Sequence, residues 1–283
     1  MSKSIHPSAC IDSSAEIGPE VVIGPFAVVG PGVSIGRGSR LSPHCHIVTR
    51  TRLGEYCQVG TAAVVGGDPQ DIKYKGEDTN LVIGDRSRIC EFVTINRGTG
   101  IGGGTTSIGS DNLIMAYVHI AHDCQVGNNV IITNNSQLAG HVHIEDQAWI
   151  SGACLLHHFV TVGTLSFVAP CSGVRTDIPP YMVADGYNQD VAKVRNINLE
   201  GLRRHQVPEE SIKSLKAAFR LVYRGKRTRE EALRELADLE IAQDPFVRAF
   251  FDHLTASHAG YQNRALERYR TDKTRKLLRV EEE

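Results

Sequence analysis

Six of the twelve histidines fall in three short groups: HIAHD (His119, His122, Asp123), AGHVH (His141, His143) and LLHHF (His157, His158). An imidazole titrates near neutrality, so it can take up a proton and return it. A carboxylate beside it, such as Asp123, can fix its tautomer and support the imidazolium. Histidines are also zinc ligands, but here the close pairs are three, two and one apart, and acid–base work suits them better. No serine or cysteine sits in an activated setting, which favours direct transfer over a covalent intermediate. All of this needs the three groups to meet in space, so the elements that carry them come next.

The groups sit on a six-residue period. An aliphatic residue recurs from Ile5 through Ile11, Ile17 and Ile23 to Val65, again at Ile83, Ile89, Ile95 and Ile101, and after a one-residue slip from Ile108 to Val174. A six-residue period held so long does not fit a helical stripe. It fits a short strand and a tight corner, where glycine and asparagine tolerate positive φ. Three units make a triangular coil in which residues 18 apart stack. Twenty-seven units predict about nine coils at roughly 4.8 Å each, a prism on the order of 43 Å long. In such a prism residues 122, 141 and 157 lie about one coil apart, offset by one or two positions. The position four after the aliphatic residue is small, and Cys45, Cys57, Cys124 and Cys154 occupy it, so packing explains them. Seven cysteines without a CxxC indicate neither a disulfide framework nor a zinc ribbon.

The period breaks twice. Gly67 to Asn80 (GDPQDIKYKGEDTN) is polar and should project as a loop, the gap from Val65 to Ile83 being one full coil's worth. Gly98 to Ser107 (GTGIGGGTTS) contains GxGxxG with no helix after it, and reads as a corner or bulge before a phosphate contact. From Asn198 the pattern turns helical, with helices expected over Ser211 to Arg224, after the capping box of Thr228 and Glu231, and after Asp244-Pro245. The expected division is a β-helix over 1–190 with its loop at 67–80, a helical domain over 191–257 and a charged tail over 258–283. Formal charge is −1, which argues against nucleic acid as the partner of the whole chain. No apolar run approaches 18 residues and the first residues lack a signal-peptide layout, so a cytoplasmic protein without integral membrane contact is expected. Residues 203–229 hold nine Lys/Arg against two Glu, a solvated basic face or a dock for an acidic protein.

The repeat resembles the hexapeptide-transferase family. That resemblance implies a left-handed parallel β-helix and a homotrimer with active sites in clefts between prisms. The γ-class carbonic anhydrases share the fold, but their characteristic pair is spaced H-x4-H, none of the three histidine groups has that spacing, and no metal is expected. More specifically, GDPQDIKYKGE, INRGT, HIAHDC, LAGH and NINLEGLRR, in this order before a helical tail, resemble the UDP-N-acetylglucosamine acyltransferases that begin lipid A synthesis. The similarity runs over about residues 5–257. It implies His122 as general base oriented by Asp123, and the Gly140 N–H as oxyanion donor. Gln70, Asp71 and Lys73 would hold the sugar and acyl-pantetheine region, with His119, His141 and His157 lining the cleft. Asn198, Glu200 and Arg204 would meet the nucleotide of UDP-N-acetylglucosamine. The acyl carrier protein would be the donor, docked on the basic helices, with no further cofactor. A sibling reaction on a 3-amino group, or the pathway's N-acyltransferase, would use the same base. His158 stands where the family has glutamine, His205 where a second arginine is common, and about three residues are extra between Gly186 and Asn198. Phe167 and Pro170 occupy the segment that measures the acyl chain, and imply a shortened or reshaped channel.

Overall fold

The computed structural model describes residues 3–186 and 191–259. The chain winds as a left-handed parallel β-helix whose three faces are sheets of two- to five-residue strands. The first face starts at Ser4–Ile5, the second at Cys10–Ile11 and the third at Glu16–Ile17, and each strand pairs with its counterpart 18 residues on, as Ser4↔Val22, Cys10↔Val28 and Glu16↔Ser34. Aliphatic positions such as Ile23, Leu41, Ile89, Ile114 and Ile132 stack as a buried column on the first face, while Ile5, on the open first coil, is exposed. The four cysteines at the small position are all buried, and burial pushes the Cys45 and Cys124 thiols up to about 12, which suits packing and not reactivity.

Two details of the repeat differ from expectation. Apart from Gly66, the glycines after the aliphatic residue do not supply positive φ. They let coils approach: a Cβ on Gly30 would lie 1.5 Å from the carbonyl oxygen of Val48. The left-handed φ falls on the second residue of each turn, which is seldom glycine; Glu20, Tyr56, Asp123 and His141 all adopt it. The turn hydrogen bond to the coil before fixes this conformation more than residue type does, as between the His141 N–H and the His122 carbonyl at 3.0 Å. Ile101 is the second departure. It is exposed and lies outside the strands, so 26 repeat strands precede the closing hairpin and not 27.

Register gives the size of each insertion. Gln58 pairs with Arg88, 30 positions on instead of 18, so the first loop adds twelve residues and not a full coil. Thr94 pairs with His119, 25 positions on, so the glycine-dense segment adds seven. Both leave from the end of a second-face strand (Val64–Gly67, Thr94–Asn96) and rejoin on the third face (Asn80–Ile83, Thr105–Ile108). They therefore overhang one edge of the prism.

An antiparallel hairpin, Met182–Asp185 with Lys193–Ile197, completes the first face and leads into the helices. These are α1 (Leu199–Arg204), α2 (Glu209–Arg224), α3 (Arg229–Asp238), a 3-10 turn at Glu240–Gln243, and α4 (Pro245–Ala259). The capping box of Thr228 and Glu231 is formed at the start of α3. Ile212, Leu215, Phe219, Leu236, Phe250 and Leu254 make the helical core, and Phe246 packs edge-on against Tyr181 of the prism end at 5.4 Å. Residues 260–283, most of the charged tail, and 187–190, within the longer connection after Gly186, lie outside the described residues. No helix among the described residues is long and apolar enough to cross a membrane.

Candidate active site

The edge under the two insertions carries the histidine groups. Its turns join His119–Ile120 to Gln125–Val126, Gln137–Leu138 to His143–Ile144, and Leu155–Leu156 to Thr161–Val162. Their first residues are His122, Gly140 and His158, stacked in one column. The second residues are Asp123, His141 and Phe159, stacked in the next, with left-handed φ near 60° in each. His143 is on the third face, paired with Gln125 and Thr161, and is not part of this edge.

His122 is the centre. Its Nδ1 lies 2.7 Å from Asp123 Oδ2, and its Nε2 faces Asp71 Oδ2 at 4.0 Å. Asp123 is buried, and burial alone would raise its pKa. Hydrogen bonds from His122 and from the Thr99 hydroxyl and N–H outweigh burial and hold the carboxyl below its ordinary value. An ionised Asp123 can only accept, so His122 Nδ1 donates and Nε2 keeps a lone pair toward the cleft. His141 meets the His122 ring edge-on at 5.3 Å, approaches Asp123 at 3.6 Å and stacks on Phe159 at 4.4 Å. His119 shares a 2.8 Å hydrogen bond with the Thr94 hydroxyl; burial first, and then repulsion between its own charged form and the neighbouring His122 imidazole, push its pKa down. His157 and His158 meet edge-on at 4.2 Å one coil on from Gly140 and His141.

The first loop brings Asp71 here because Arg97 ties it down. The buried Arg97 guanidinium bonds the Gly66 carbonyl, the Asp68 carboxylate and the Tyr74 hydroxyl. Asp71 then closes its own turn by accepting the Lys73 N–H at 3.0 Å, while Gln70 stays exposed. Gly140 is required by space: a Cβ there would lie 2.6 Å from His122 Cε1. Its N–H makes no hydrogen bond among the described residues. At the same position of other turns the N–H is absent, as in Pro19, Pro25 and Pro43, or donates to a side chain of the next coil, as Asn128 does to Asp146, so an unused N–H at Gly140 stands apart.

Other expected residues lie elsewhere in the chain. Asn198 caps α1 by accepting the Gly201 N–H, and its amide donates to the Leu165 carbonyl at 2.8 Å, on the edge between the third and first faces. Glu200 and Arg204 pair with each other on that helix, both exposed, and His205 follows as its exposed C-cap. Phe167 sits on the first face against Trp149, and Pro170 on the edge between the first and second faces. One chain thus joins Asp71, His119, His122, Asp123, Gly140 and His141, but not the residues expected at the nucleotide and acyl chain. Arg97, Thr99, Thr106 and Phe159 were assigned no role from the sequence, although INRGT holds Arg97 and Thr99 and LLHHF ends on Phe159.

His122, Asp123 and His141 place ligand-type atoms within 4.8 Å of one another. Both Asp123 oxygens already accept hydrogen bonds, so the trio reads as a proton-handling group.

A histidine–carboxylate pair on the edge of a hexapeptide prism defines a hexapeptide-repeat transferase, and residues 14–49 and 105–140 match the bacterial transferase hexapeptide family. Residues 177–262 match the second domain of UDP-N-acetylglucosamine O-acyltransferase. The acyl-[acyl-carrier-protein]–UDP-N-acetylglucosamine O-acyltransferase of Burkholderia orbicola is 47% identical over 259 residues, covering 90% of this chain and 98% of the relative. The UDP-N-acetylglucosamine O-acyltransferase structure from Moraxella catarrhalis is 39% identical, with a TM-score of 0.84 over 89% of this chain and 97% of that one. The corresponding Bacteroides fragilis structure is 35% identical, with a TM-score of 0.86 over 89% and 97%. This chain belongs to the UDP-N-acetylglucosamine O-acyltransferase family.

Proposed function

We propose that the chain transfers an acyl group from an acyl carrier protein thioester to the 3-hydroxyl of UDP-N-acetylglucosamine, the first step of lipid A synthesis. His122 Nε2 removes the hydroxyl proton as the oxygen attacks the thioester carbonyl. The C–S bond then breaks, and the imidazolium returns the proton to the leaving thiolate. Asp123 supports the positive charge, and the Gly140 N–H, left unused by the fold, donates to the oxyanion. Asp71, Lys73 and Gln70 on the overhanging loop hold the acceptor. The observation that carries this reading is the His122 imidazole, bonded to an ionised Asp123 through one nitrogen and open to the cleft through the other.

The split of the remaining residues supports a homotrimer. Asn198, Glu200 and Arg204 lie on a different edge from His122, so they reach a shared cleft only from a neighbouring prism. The exposed basic residues of α2 and the turn after it, among them Lys213, Arg220, Arg224 and Arg227, suit an acidic carrier protein. The reaction belongs in the cytoplasm, where the carrier protein is charged. Thioester release with UDP-N-acetylglucosamine, measured on wild type and His122→Ala, tests the mechanism: the variant should lose about 10²–10⁴-fold, and equal rates would sink it. Phe167 and Pro170 shorten or reshape the acyl channel in this reading; in the same assay, a preference for the longest acyl donor would refute that.

A further inference from the structure

The glycine-dense insertion over 98–104 has no part in the mechanism above, yet it is built against Asp123. The Thr99 N–H donates to Asp123 Oδ1 at 2.8 Å and the Thr99 hydroxyl to Oδ2 at 2.7 Å. That hydroxyl in turn accepts the Gly102 N–H at 3.0 Å, which fixes the direction of its own proton. The Thr99 carbonyl accepts the Gly102 and Gly104 N–H groups at 3.1 and 2.8 Å, so the loop closes on this one residue. A Cβ on Gly102 would lie 2.1 Å from the Asp123 carboxyl carbon. Below, the Thr106 hydroxyl accepts the Asp123 N–H at 2.7 Å. Asp123 is thus enclosed by loop and prism, and its remaining contacts are the imidazoles.

An oxygen that accepts from both Thr99 and His122 has its lone pairs shared between two fixed donors. The plane of the carboxylate is then set by Thr99, and the plane of the carboxylate sets the imidazole. We propose that Thr99 is a positioning residue for the general base, acting through Asp123, and that the seven-residue insertion exists to deliver it. This inference rests on the function proposed above, because it needs His122 to act as base.

Thr99→Val keeps the shape and the N–H but removes the hydroxyl; Thr99→Ser keeps the hydroxyl. With acyl carrier protein thioester and UDP-N-acetylglucosamine, the valine variant should lose kcat by roughly tenfold to hundredfold with both KM values within about twofold, and serine should restore kcat to within about threefold. On an Asp123→Asn background the Thr99→Val loss should shrink to about twofold or less. Wild-type kcat in Thr99→Val, a serine variant as slow as valine, a loss confined to KM, or losses that simply add to those of Asp123→Asn would each overturn the proposal. Should Thr99→Val not fold, Thr99→Ala, which overpacks nothing, is read by the same criteria. Full activity in His122→Ala would instead remove the mechanism itself, whatever Thr99 does.

Discussion

Two edges of this prism use the same backbone device to opposite ends. On the edge between the second and third faces, the second residues of successive turns are Asp123, His141 and Phe159; on the edge between the third and first faces they include Arg86, Asp111, Asn129 and Gln147. All adopt left-handed φ, and all but Asp123, whose N–H donates to the Thr106 hydroxyl, are held by the same backbone hydrogen bond to the preceding coil. On the third–first edge Arg86 and Asp111 stay in solvent and neutralise each other through two bonds of 2.7 Å. On the second–third edge the two insertions roof the turns, Asp123 is only 5% exposed, and its partners are imidazoles. The turn itself does not specify function. Burial does, because removing water makes each donor and acceptor count and lets an ionised carboxylate set its neighbour.

The largest effect that separates the edges comes from one methyl group. Gly140→Ala keeps the N–H and needs no unusual φ, yet its Cβ would strike the His122 ring at 2.6–2.8 Å. The ring is tied to Asp123, so it must give up its position or that bond. Activity should fall by about 10²-fold with little change in thermal stability. Gly152 is also the first residue of its turn, on the edge between the first and second faces, where a Cβ would make ordinary contact with Asn134 O at 3.5 Å. Gly152→Ala should leave stability and activity unchanged. If the two substitutions behaved alike in the thioester assay, the position of the imidazole would not be what this edge protects.

How far the sequence shows this difference depends on which interactions are periodic. The prism is legible because stacking repeats the same apolar requirement every six residues, and 26 strands answer to it. The column of His122, Gly140 and His158 follows from an 18-residue step alone. Ile101 misled because an isoleucine at the right count looks like a repeat, while the register shows seven inserted residues and places it in water. Thr99 and Arg97 stand in the INRGT motif, but their roles were silent for the opposite reason. Each acts once, across insertions with no period, and a threonine in a glycine-rich stretch has no pattern that points at a carboxylate 24 residues away. Asn198 was seen as a nucleotide contact, but its local role as helix cap leaves a matching signature, an asparagine just before Leu199–Arg204.

The smallest effect expected is on the exposed edge, and it sharpens the contrast by being absent. Arg86 holds the Asp111 carboxyl below its ordinary value through the side-chain hydrogen bonds, as His122 and Thr99 do for Asp123. A carboxyl whose folded pKa is depressed contributes stability above the unfolded value and loses it as pH falls through the folded one. Both edges therefore push acid unfolding the same way in sign. They differ in weight, because the Arg86 and Asp111 side chains are 54% and 37% exposed and are screened by water and salt. Arg86→Gln keeps a non-glycine residue at the left-handed position, so backbone strain cancels and only the ion pair is lost. At about 0.15 M salt, circular dichroism across an acid titration should give the wild-type midpoint, and thioester transfer should be unchanged. A midpoint moved clearly upward would mean that solvent-exposed pairs along the turns hold the coils together, and the roofed edge would then differ from its neighbour only in chemistry and not in how its charges are stabilised.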